Sequence, residues 1–113
     1  MIGMKRERIE IQVPTTEADS EGQPIKDWAK HCETWASVRP LTGREYESMR
    51  QINSEISKVF EMNYRREMVQ RQQDAEVSAV KMRIVWVGDN WNIHDIQPDE
   101  EKFNMKIFAA RVK

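Results

Sequence analysis

The densest group of chemically capable side chains in this sequence is the tripeptide His31-Cys32-Glu33. A histidine, a thiol and a carboxylate are the groups from which zinc sites and nucleophilic centres are built. The surrounding pattern predicts a strand, in which adjacent side chains point to opposite faces, so at most His31 and Glu33 could share a metal. A half-buried thiol between two polar surface residues is the simpler interpretation. His94-Asp95 fails as a catalytic dyad for the same geometric reason.

Other signatures of catalysis do not occur in the sequence. None of the six serines lies in a Gly-x-Ser-x-Gly elbow, and the four glycines are too scattered to form a phosphate-binding loop. The single cysteine can form neither an internal disulfide nor a thiolate metal cluster. We therefore expect a protein that is not an enzyme, with no catalytic residues, no bound metal and no cofactor.

The aromatic residues could bind a partner by stacking. The four tryptophans are Trp28, Trp35, Trp86 and Trp91. A single-stranded nucleic-acid-binding barrel would interleave such residues with lysine and arginine on one exposed face. The neighbours of Trp86 and Trp91 are apolar or acidic, so filling of the core is the better interpretation for these side chains. Nucleic-acid binding by a β-barrel stays a minor hypothesis.

The composition indicates which elements must position these residues. The chain has 113 residues with one leucine, Leu41, beside ten isoleucines and nine valines. β-Branched side chains suit a pleated sheet, whereas leucine is the usual core residue of helix bundles, so a mainly β fold is expected. The length suits one domain covering residues 1–113.

Alternation of apolar and polar residues predicts about six strands, joined by turns too short for parallel crossovers. The predicted strands cover residues 8–13, 25–39, 57–65, 82–87, 91–96 and 103–108. A polar loop is expected at 15–23, and tight turns are expected at Gly88-Asp89-Asn90 and at Pro98 to Glu101. The prediction is a small antiparallel β-barrel.

One helix should interrupt the strands between the second and the third. Thr42-Gly43-Arg44-Glu45 has the form of a capping box. The apolar residues Tyr46, Met49, Ile52 and Ile56 then follow at helical spacing. We expect a helix of about three turns, from Thr42 to Ile56, that lies on the sheet.

Residues 66–80 form a polar extension without glycine or proline, either a loop or a short surface helix. Such a long polar connection between strands is unusual in a compact domain and is often functional. We expect this segment to become ordered only in an assembly, or to project toward a partner or a channel.

Several blocks of the sequence match a known family in the same order. They are Arg8-Ile9-Glu10-Ile11-Gln12, Asp19-Ser20-Glu21-Gly22-Gln23-Pro24, and the run from Thr34-Trp35-Ala36 through Arg39-Pro40-Leu41 to Arg44-Glu45-Tyr46. Asn63-Tyr64-Arg65, Met82-Arg83-Ile84, residues 88–93 and Pro98-Asp99-Glu100 extend the match over nearly the whole chain. The sequence resembles the tailed-bacteriophage head-tail joining family, also called head closure, stopper or connector proteins. It departs from that family after Arg65, where a short Pro-Gly turn is common but a longer segment stands here.

The resemblance implies a small β-barrel with a helix between its second and third strands. It also implies a homo-oligomeric ring in the virion neck, below the portal and its adaptor ring, which closes the DNA-filled head and provides the surface on which the tail docks. A tail-completion or tail-terminator ring is the alternative role. The net charge of −1 fits a lumen through which double-stranded DNA passes without sequence-specific binding.

The surface residues most suited to assembly are arginines with nearby methionine and tyrosine. We expect the interface to use Arg39, Arg44, Glu45, Tyr46, Met49, Arg50, Arg66, Met68 and Arg71. The predicted helix should face a neighbouring subunit or the ring above. The sequence shows neither a signal-like leader nor an apolar run of about 20 residues, so we expect synthesis in a reducing host cytoplasm, no membrane contact and a final location in the virion.

Overall fold

The computed structural model describes residues 6–14, 28–73 and 82–112 of the chain. The elements in chain order are β1 Glu7–Pro14, β2 Trp28–Pro40, α1 Gly43–Arg50, β3 Ile56–Asn63, α2 Arg66–Gln73, β4 Arg83–Trp86, β5 Asp89–Pro98 and β6 Asn104–Arg111. Neighbouring strands are antiparallel, and the sheet closes as a barrel in the order β1-β2-β3-β6-β5-β4. The predicted fold class is therefore confirmed. Neither described helix is long and apolar enough to cross a membrane.

The barrel interior is filled by alternate side chains of every strand. On β1, Ile9 and Ile11 are fully buried, while the alternating residues Arg8 and Glu10 face outward, as the pattern in the sequence predicts. The other large buried side chains of this cluster come from β3 to β6, from α2 and from the residue just before β4: Phe60, Met62, Met68, Met82, Ile84, Trp91, Ile93, Met105 and Ile107. β-Branched residues and methionines thus supply the core that leucine would supply in a helical protein.

A second, smaller core lies outside the barrel, between α1 and the outer face of β3 and β6. It consists of Met49 from α1, Ile56 and Val59 from β3, and Phe108 and Ala110 from β6, with Leu41 packed at its edge. The irregularity in pairing between Ile56 and Lys58 brings Ile56 and Val59 to the same outer side of β3. β3 is therefore buried on both faces.

Helix α1 is shorter than the sequence predicts. It ends at Arg50, and Ile56 begins β3 rather than the last helical turn. The chain leaves the helix through Asn53, whose side-chain oxygen accepts a hydrogen bond from the backbone N–H of Glu55 at 2.8 Å. This local turn competes with further helical bonding, and Ile52 is left 43% exposed rather than on a buried stripe.

The first half of the predicted extension is helix α2. Its Met68 and Val69 are buried in the barrel core, and Gln72 donates to the backbone carbonyl of His94 on β5 at 3.3 Å. Residues 66–73 thus form the helix that was one of the two predicted alternatives, and they pack on their own subunit, so ordering only in an assembly is wrong for this half of the segment. Projection toward a partner or a channel stays a prediction. The remainder, 74–80, lies outside the described residues, as do the predicted loop 15–23 and the start of the second predicted strand.

Only some of the four tryptophans pack in the core. Trp91 is 5% exposed, and Trp86 packs against the core with its ring centroid 5.7 Å from that of Phe60. Trp35 is 51% exposed, because its position on β2 faces outward opposite Arg8. The guanidinium of Arg8 lies 5.4 Å from the centroid of the Trp35 ring. The sequence predicts core filling for Trp86 and Trp91 and makes no such prediction for Trp35.

The β5–β6 turn also differs from the prediction. Phe103, with which the last predicted strand begins, precedes β6 and is 68% exposed. The carboxylate of Asp99 accepts hydrogen bonds from the backbone N–H groups of Phe103 and Asn104, at 3.0 and 3.2 Å. This side-chain capping holds the turn in a conformation that strand periodicity does not anticipate.

The β4–β5 hairpin turns one residue earlier than the sequence predicts. Trp86 pairs with Asp89, so Val87 and Gly88 are the two turn residues. Both have positive φ, 50° and 78°, which is the pattern of a type I′ turn. Glycine adopts this region freely, whereas valine is disfavoured there because its branched Cβ crowds the backbone.

Replacing Val87 with asparagine should therefore stabilise the protein. Val87 is 75% exposed, so little packing is lost, and asparagine enters the left-handed region more easily, with an expected gain of about 1 kcal/mol in the free energy of unfolding. Urea unfolding of Val87→Asn measures this gain. Gly88→Ala is the matched control: an added Cβ would meet nothing within 4 Å, so the expected loss of about 1 kcal/mol is purely conformational. A less stable Val87→Asn protein would contradict the interpretation.

Candidate assembly surface

Arg39, near the end of β2, joins three elements through its guanidinium group. Its Nη1 and Nη2 donate to Oε1 and Oε2 of Glu45 on α1 at 2.6 and 2.9 Å. Its Nε donates to Oε1 of Glu61 on β3 at 3.1 Å. The planar fork of arginine suits such a bidentate contact, and it fixes direction as well as distance. The helix is thereby oriented relative to both neighbouring strands.

Glu45 has a second structural role as the partner of the helix cap. The backbone N–H of Thr42 donates to Glu45 Oε1 at 2.9 Å, and the N–H of Glu45 donates to Thr42 Oγ1 at 3.3 Å. The predicted capping box is therefore confirmed. Lys106 on β6 places its ammonium group 3.9 Å from Glu45 Oε2, so cations from two strands flank this carboxylate.

We call Arg39, Glu45, Glu61 and Lys106 the Arg39 cluster, and its charges stabilise one another. Chiefly through its hydrogen bonds, Arg39 lowers the pKa of Glu45 from its ordinary 4.5 to about 2, and the backbone N–H of Thr42 adds to this shift. Reciprocally, the hydrogen bonds to Glu45 raise the pKa of Arg39. The side chains of Arg39 and Glu45 are only 31% and 16% exposed, so solvent weakens this pair less than a fully exposed one.

Helix α1 has one buried side and one free side. Met49 is its buried residue, while Arg44, Tyr46 and Arg50 are exposed. The Arg50 guanidinium lies 5.6 Å from the centroid of the Tyr46 ring. Tyr46 and Ile52, 48% and 43% exposed, add apolar area to this surface. We call Arg44, Tyr46, Arg50 and Ile52 the α1 face.

The candidates in α2 lie at the other end of β3. Arg66 and Arg71 are exposed, whereas Met68 is 1% exposed and belongs to the barrel core. Glu67 lies 3.4 Å from the imidazole of His31 on β2. This pairing and the buried Met68 hold α2 against the barrel with its arginines outward.

The predicted interface residues therefore separate into three groups. Arg39 and Glu45 are joined within the subunit, and Met49 and Met68 are buried inside it. The exposed candidates divide between the two helices: Arg44, Tyr46 and Arg50 on α1, and Arg66 and Arg71 on α2. Sequence reasoning missed Glu61 and Lys106, which face each other across β3 and β6. A glutamate within the apolar run from Val59 to Met62 was the available signal for Glu61.

The side chains of the tripeptide His31-Cys32-Glu33 do not point to a common site. Glu33 pairs with Arg8 and Lys30 at 2.9 and 2.8 Å, while His31 turns toward Glu67. Cys32 packs against the core, and burial raises the pKa of its thiol, which disfavours the thiolate. Among the described residues, no group of three histidine, cysteine or acidic side chains could hold a metal ion.

Replacing Glu45 with glutamine should destabilise the protein at neutral pH and make little difference in acid. The pKa of Glu45 falls from 4.5 to about 2 on folding, so its stabilisation is complete above pH 4.5 and is lost as the pH falls toward 2. We expect Glu45→Gln to lower the free energy of unfolding by about 1–3 kcal/mol at pH 7.

Urea unfolding of both proteins between pH 7 and pH 2 measures this difference. Glu47→Gln, at an exposed position on the same helix, controls for loss of a carboxylate as such. A gap between wild type and Glu45→Gln that stays constant with pH would contradict the assigned role of the charge.

The one buried side chain of α1 should contribute more to stability than its exposed aromatic residue. Met49→Ala leaves a cavity against Val59 and Phe108, and we expect the free energy of unfolding to fall by about 2–3 kcal/mol. Tyr46→Ala, on the exposed side, should cost under about 1 kcal/mol. Thermal and urea unfolding of the two variants give the comparison. Equal losses would mean that α1 does not pack on the outer core as described.

Comparisons with known proteins agree with this architecture. The solution structure of protein SF1141 from Shigella flexneri 2a is similar over 97% of this chain and 95% of that one, with a TM-score of 0.66 and 23% identity. A chain in the virion of a native gene transfer agent particle is similar over 97% of both chains, with a TM-score of 0.57 and 16% identity. At these identities the similarity shows the fold alone. No curated protein matches the chain.

The evidence for a family comes from the sequence itself. A family model described as phage head completion protein matches residues 2–112. The match includes β1, the Arg39 cluster, both helices and the closing strands of the barrel. The chain belongs to the phage head completion protein family.

Proposed function

We propose that the chain is a non-enzymatic structural subunit of a phage or prophage neck. In this role it forms a homo-oligomeric ring between the portal with its adaptor and the tail, closes the DNA-filled head and provides the surface on which the tail docks. The observation that carries the proposal is the family match over residues 2–112. The α1 face, fixed on the barrel by the Arg39 cluster, supplies a surface suited to the role.

A ring subunit needs contact surfaces whose shape is set before assembly, because ordering them on binding would weaken the contact. Helix α1 meets this need, since Arg39 and Lys106 hold its Glu45 from two different strands. Its exposed side presents an aromatic ring beside an arginine, Tyr46 with Arg50. Tyrosine and arginine are enriched among the residues that dominate binding energy at protein interfaces.

The exposed arginines of α2 form a second surface at which other proteins of the neck can bind. Arg66 and Arg71 are exposed at the end of β3 opposite to α1. A subunit between two other rings must contact proteins both above and below it, so two separate surfaces, one next to each end of β3, fit the proposed position. In the part of the chain that the structure describes, Arg66 and Arg71 have no carboxylate within ion-pair distance.

The charge of the protein suits a channel through which DNA slides. The 18 basic and 19 acidic residues leave a net charge of −1 per subunit. A strongly basic lumen would bind phosphates with a free energy that grows with each counterion released. Near-neutral subunits would let double-stranded DNA pass in either direction without tight or sequence-specific binding.

Electron microscopy of particles from the encoding phage or prophage tests the proposal. We expect a ring of this chain at the neck, below the portal and adaptor. Particles that lack the chain should have heads that lose their DNA and carry no tail. The protein supplied from a plasmid should restore both properties. Isolated tails that carry the chain before they join heads would instead assign it to tail completion, and a neck without this ring would contradict the proposal.

A double variant tests the proposed role of the α1 face in assembly. The protein carrying both Tyr46→Ala and Arg50→Glu should be incorporated into particles at least tenfold less, because an aromatic ring and a cation are removed together. Ser48→Ala, also exposed on α1, should assemble as wild type. Mass spectrometry of purified particles measures incorporation. Normal incorporation of the double variant would remove the α1 face from the interface.

A further inference from the structure

A small pocket lies on the outside of the barrel near Lys106, where β5 turns into β6. Its volume is about 270 Å³, below the roughly 300–1,000 Å³ of sites that enclose whole small molecules. The pocket is lined by Glu61, Gln97, Pro98, Asp99, Asn104, Met105 and Lys106. We call it the acidic pocket, and its size suits one long side chain.

Two lining residues offer an acceptor atom to a ligand. Glu61 is 8% exposed, and its Oε1 accepts from Arg39, which leaves Oε2 for a further donor. Asn104 has a buried Oδ1 that lacks a donor within the described chain. A buried acceptor without a donor is unfavourable, so a ligand that donates to Asn104 Oδ1 would remove this cost.

The surroundings of the pocket favour a positively charged ligand. Five carboxylates lie in or next to it, against three cations: Glu45, Glu61, Asp99, Glu100 and Glu101 against Arg39, Lys102 and Lys106. Lys106 is the one cation among the seven lining residues, and its ammonium group already lies 3.9 Å from Glu45. A region with this excess of carboxylates attracts cations.

The walls of the pocket indicate which cation fits. Pro98 and Met105 supply apolar surface, along which the methylene stem of a long basic side chain can lie. A guanidinium group presents several N–H donors in one plane and can reach two acceptors at once, whereas an ammonium group is a compact point charge. Arginine is therefore the better match to a carboxylate and an amide oxygen in one pocket.

The rim suits a protein partner. Phe103 is 68% exposed beside the pocket, and Glu100 and Glu101 are exposed in the same turn, which Asp99 holds in place. An exposed aromatic ring beside a charged pocket is typical of the surface around a buried anchor residue at an interface.

We propose that the acidic pocket receives an arginine side chain from a partner protein, with the guanidinium donating to Oε2 of Glu61 and Oδ1 of Asn104. The chemistry of the pocket stands on the contacts above. The identification of the partner as a neighbour in the neck rests on the proposed function. Because Glu61 also accepts from Arg39, the arginine of the partner would bind next to the cluster that orients α1.

The first test uses a short peptide and the purified protein. We expect the blocked tripeptide acetyl-Gly-Arg-Gly-amide to shift the side-chain amide signals of Asn104 and Gln97 in nuclear magnetic resonance spectra, saturably and at millimolar concentration. The same peptide with citrulline, which has the shape of arginine without its charge, should cause no shift. Equal shifts with citrulline, or the same shifts with Ca²⁺ alone, would overturn the proposal.

Matched variants locate the binding. Glu61→Gln keeps an oxygen that can accept from Arg39 but removes the charge. It should weaken binding of the arginine peptide about tenfold, which is the effect of one charge-assisted hydrogen bond. Glu101→Gln removes a charge from the same turn but outside the lining, and it should bind as wild type. Equal weakening in both variants would mean that the acidic turn attracts the peptide without a defined site, which overturns the proposal.

Particles then separate this inference from the proposed function. Glu61→Gln should fold, as its thermal unfolding will show, yet enter particles at least tenfold less than Glu101→Gln. If wild type forms the neck ring and Glu61→Gln enters it normally, the pocket is not an interface and the inference fails while the ring role stands. If wild type forms no ring, the proposed function fails, whatever the peptide result.

Discussion

The guanidinium group of Arg39 is the contact on which the arrangement of the surface depends. It links the end of β2 to α1 through Glu45 and to β3 through Glu61. Helix α1 has a single buried side chain, Met49, so apolar packing alone would leave its rotation poorly determined. A bidentate ion pair has a preferred direction, and it supplies the missing restraint. The exposed side of α1 and the acidic pocket are both positioned by this one residue.

The same cluster lies next to the boundary between two separate cores. One core fills the barrel, and the other lies between α1 and the outer face of β3 and β6. β3 serves both because a pairing irregularity near its start turns Ile56 and Val59 outward while Phe60 and Met62 remain inside. A barrel of this size leaves its outer faces polar for the most part, so a covered patch with a helix on it marks one side of the subunit as different from the others.

Local rules of sequence predicted much of this fold, and non-local pairing explains what they missed. The alternation of Ile9 and Ile11 and the capping box at Thr42 depend on neighbours within a few residues, and both are confirmed. The exposure of Phe103 depends on an Asp99 turn that overrides strand period. The partners of Arg39 could not be read from the sequence, because they depend on the register of β2 against β3. The block around Arg39 was recognised as distinctive, whereas its role inside the subunit became visible only from the barrel.

In the Val87–Gly88 turn, the local preference of the sequence and the fold disagree. Valine at a positive φ lowers the stability of the hairpin, and with three quarters of its surface exposed the side chain gains little from packing within the subunit. A sequence shaped only by the folding of the isolated chain would hold asparagine or glycine there. Natural proteins depart from such local preferences mainly where something other than stability is under selection. Val87 is therefore a position at which the sequence gives up hairpin stability for a side chain that stays outside the core.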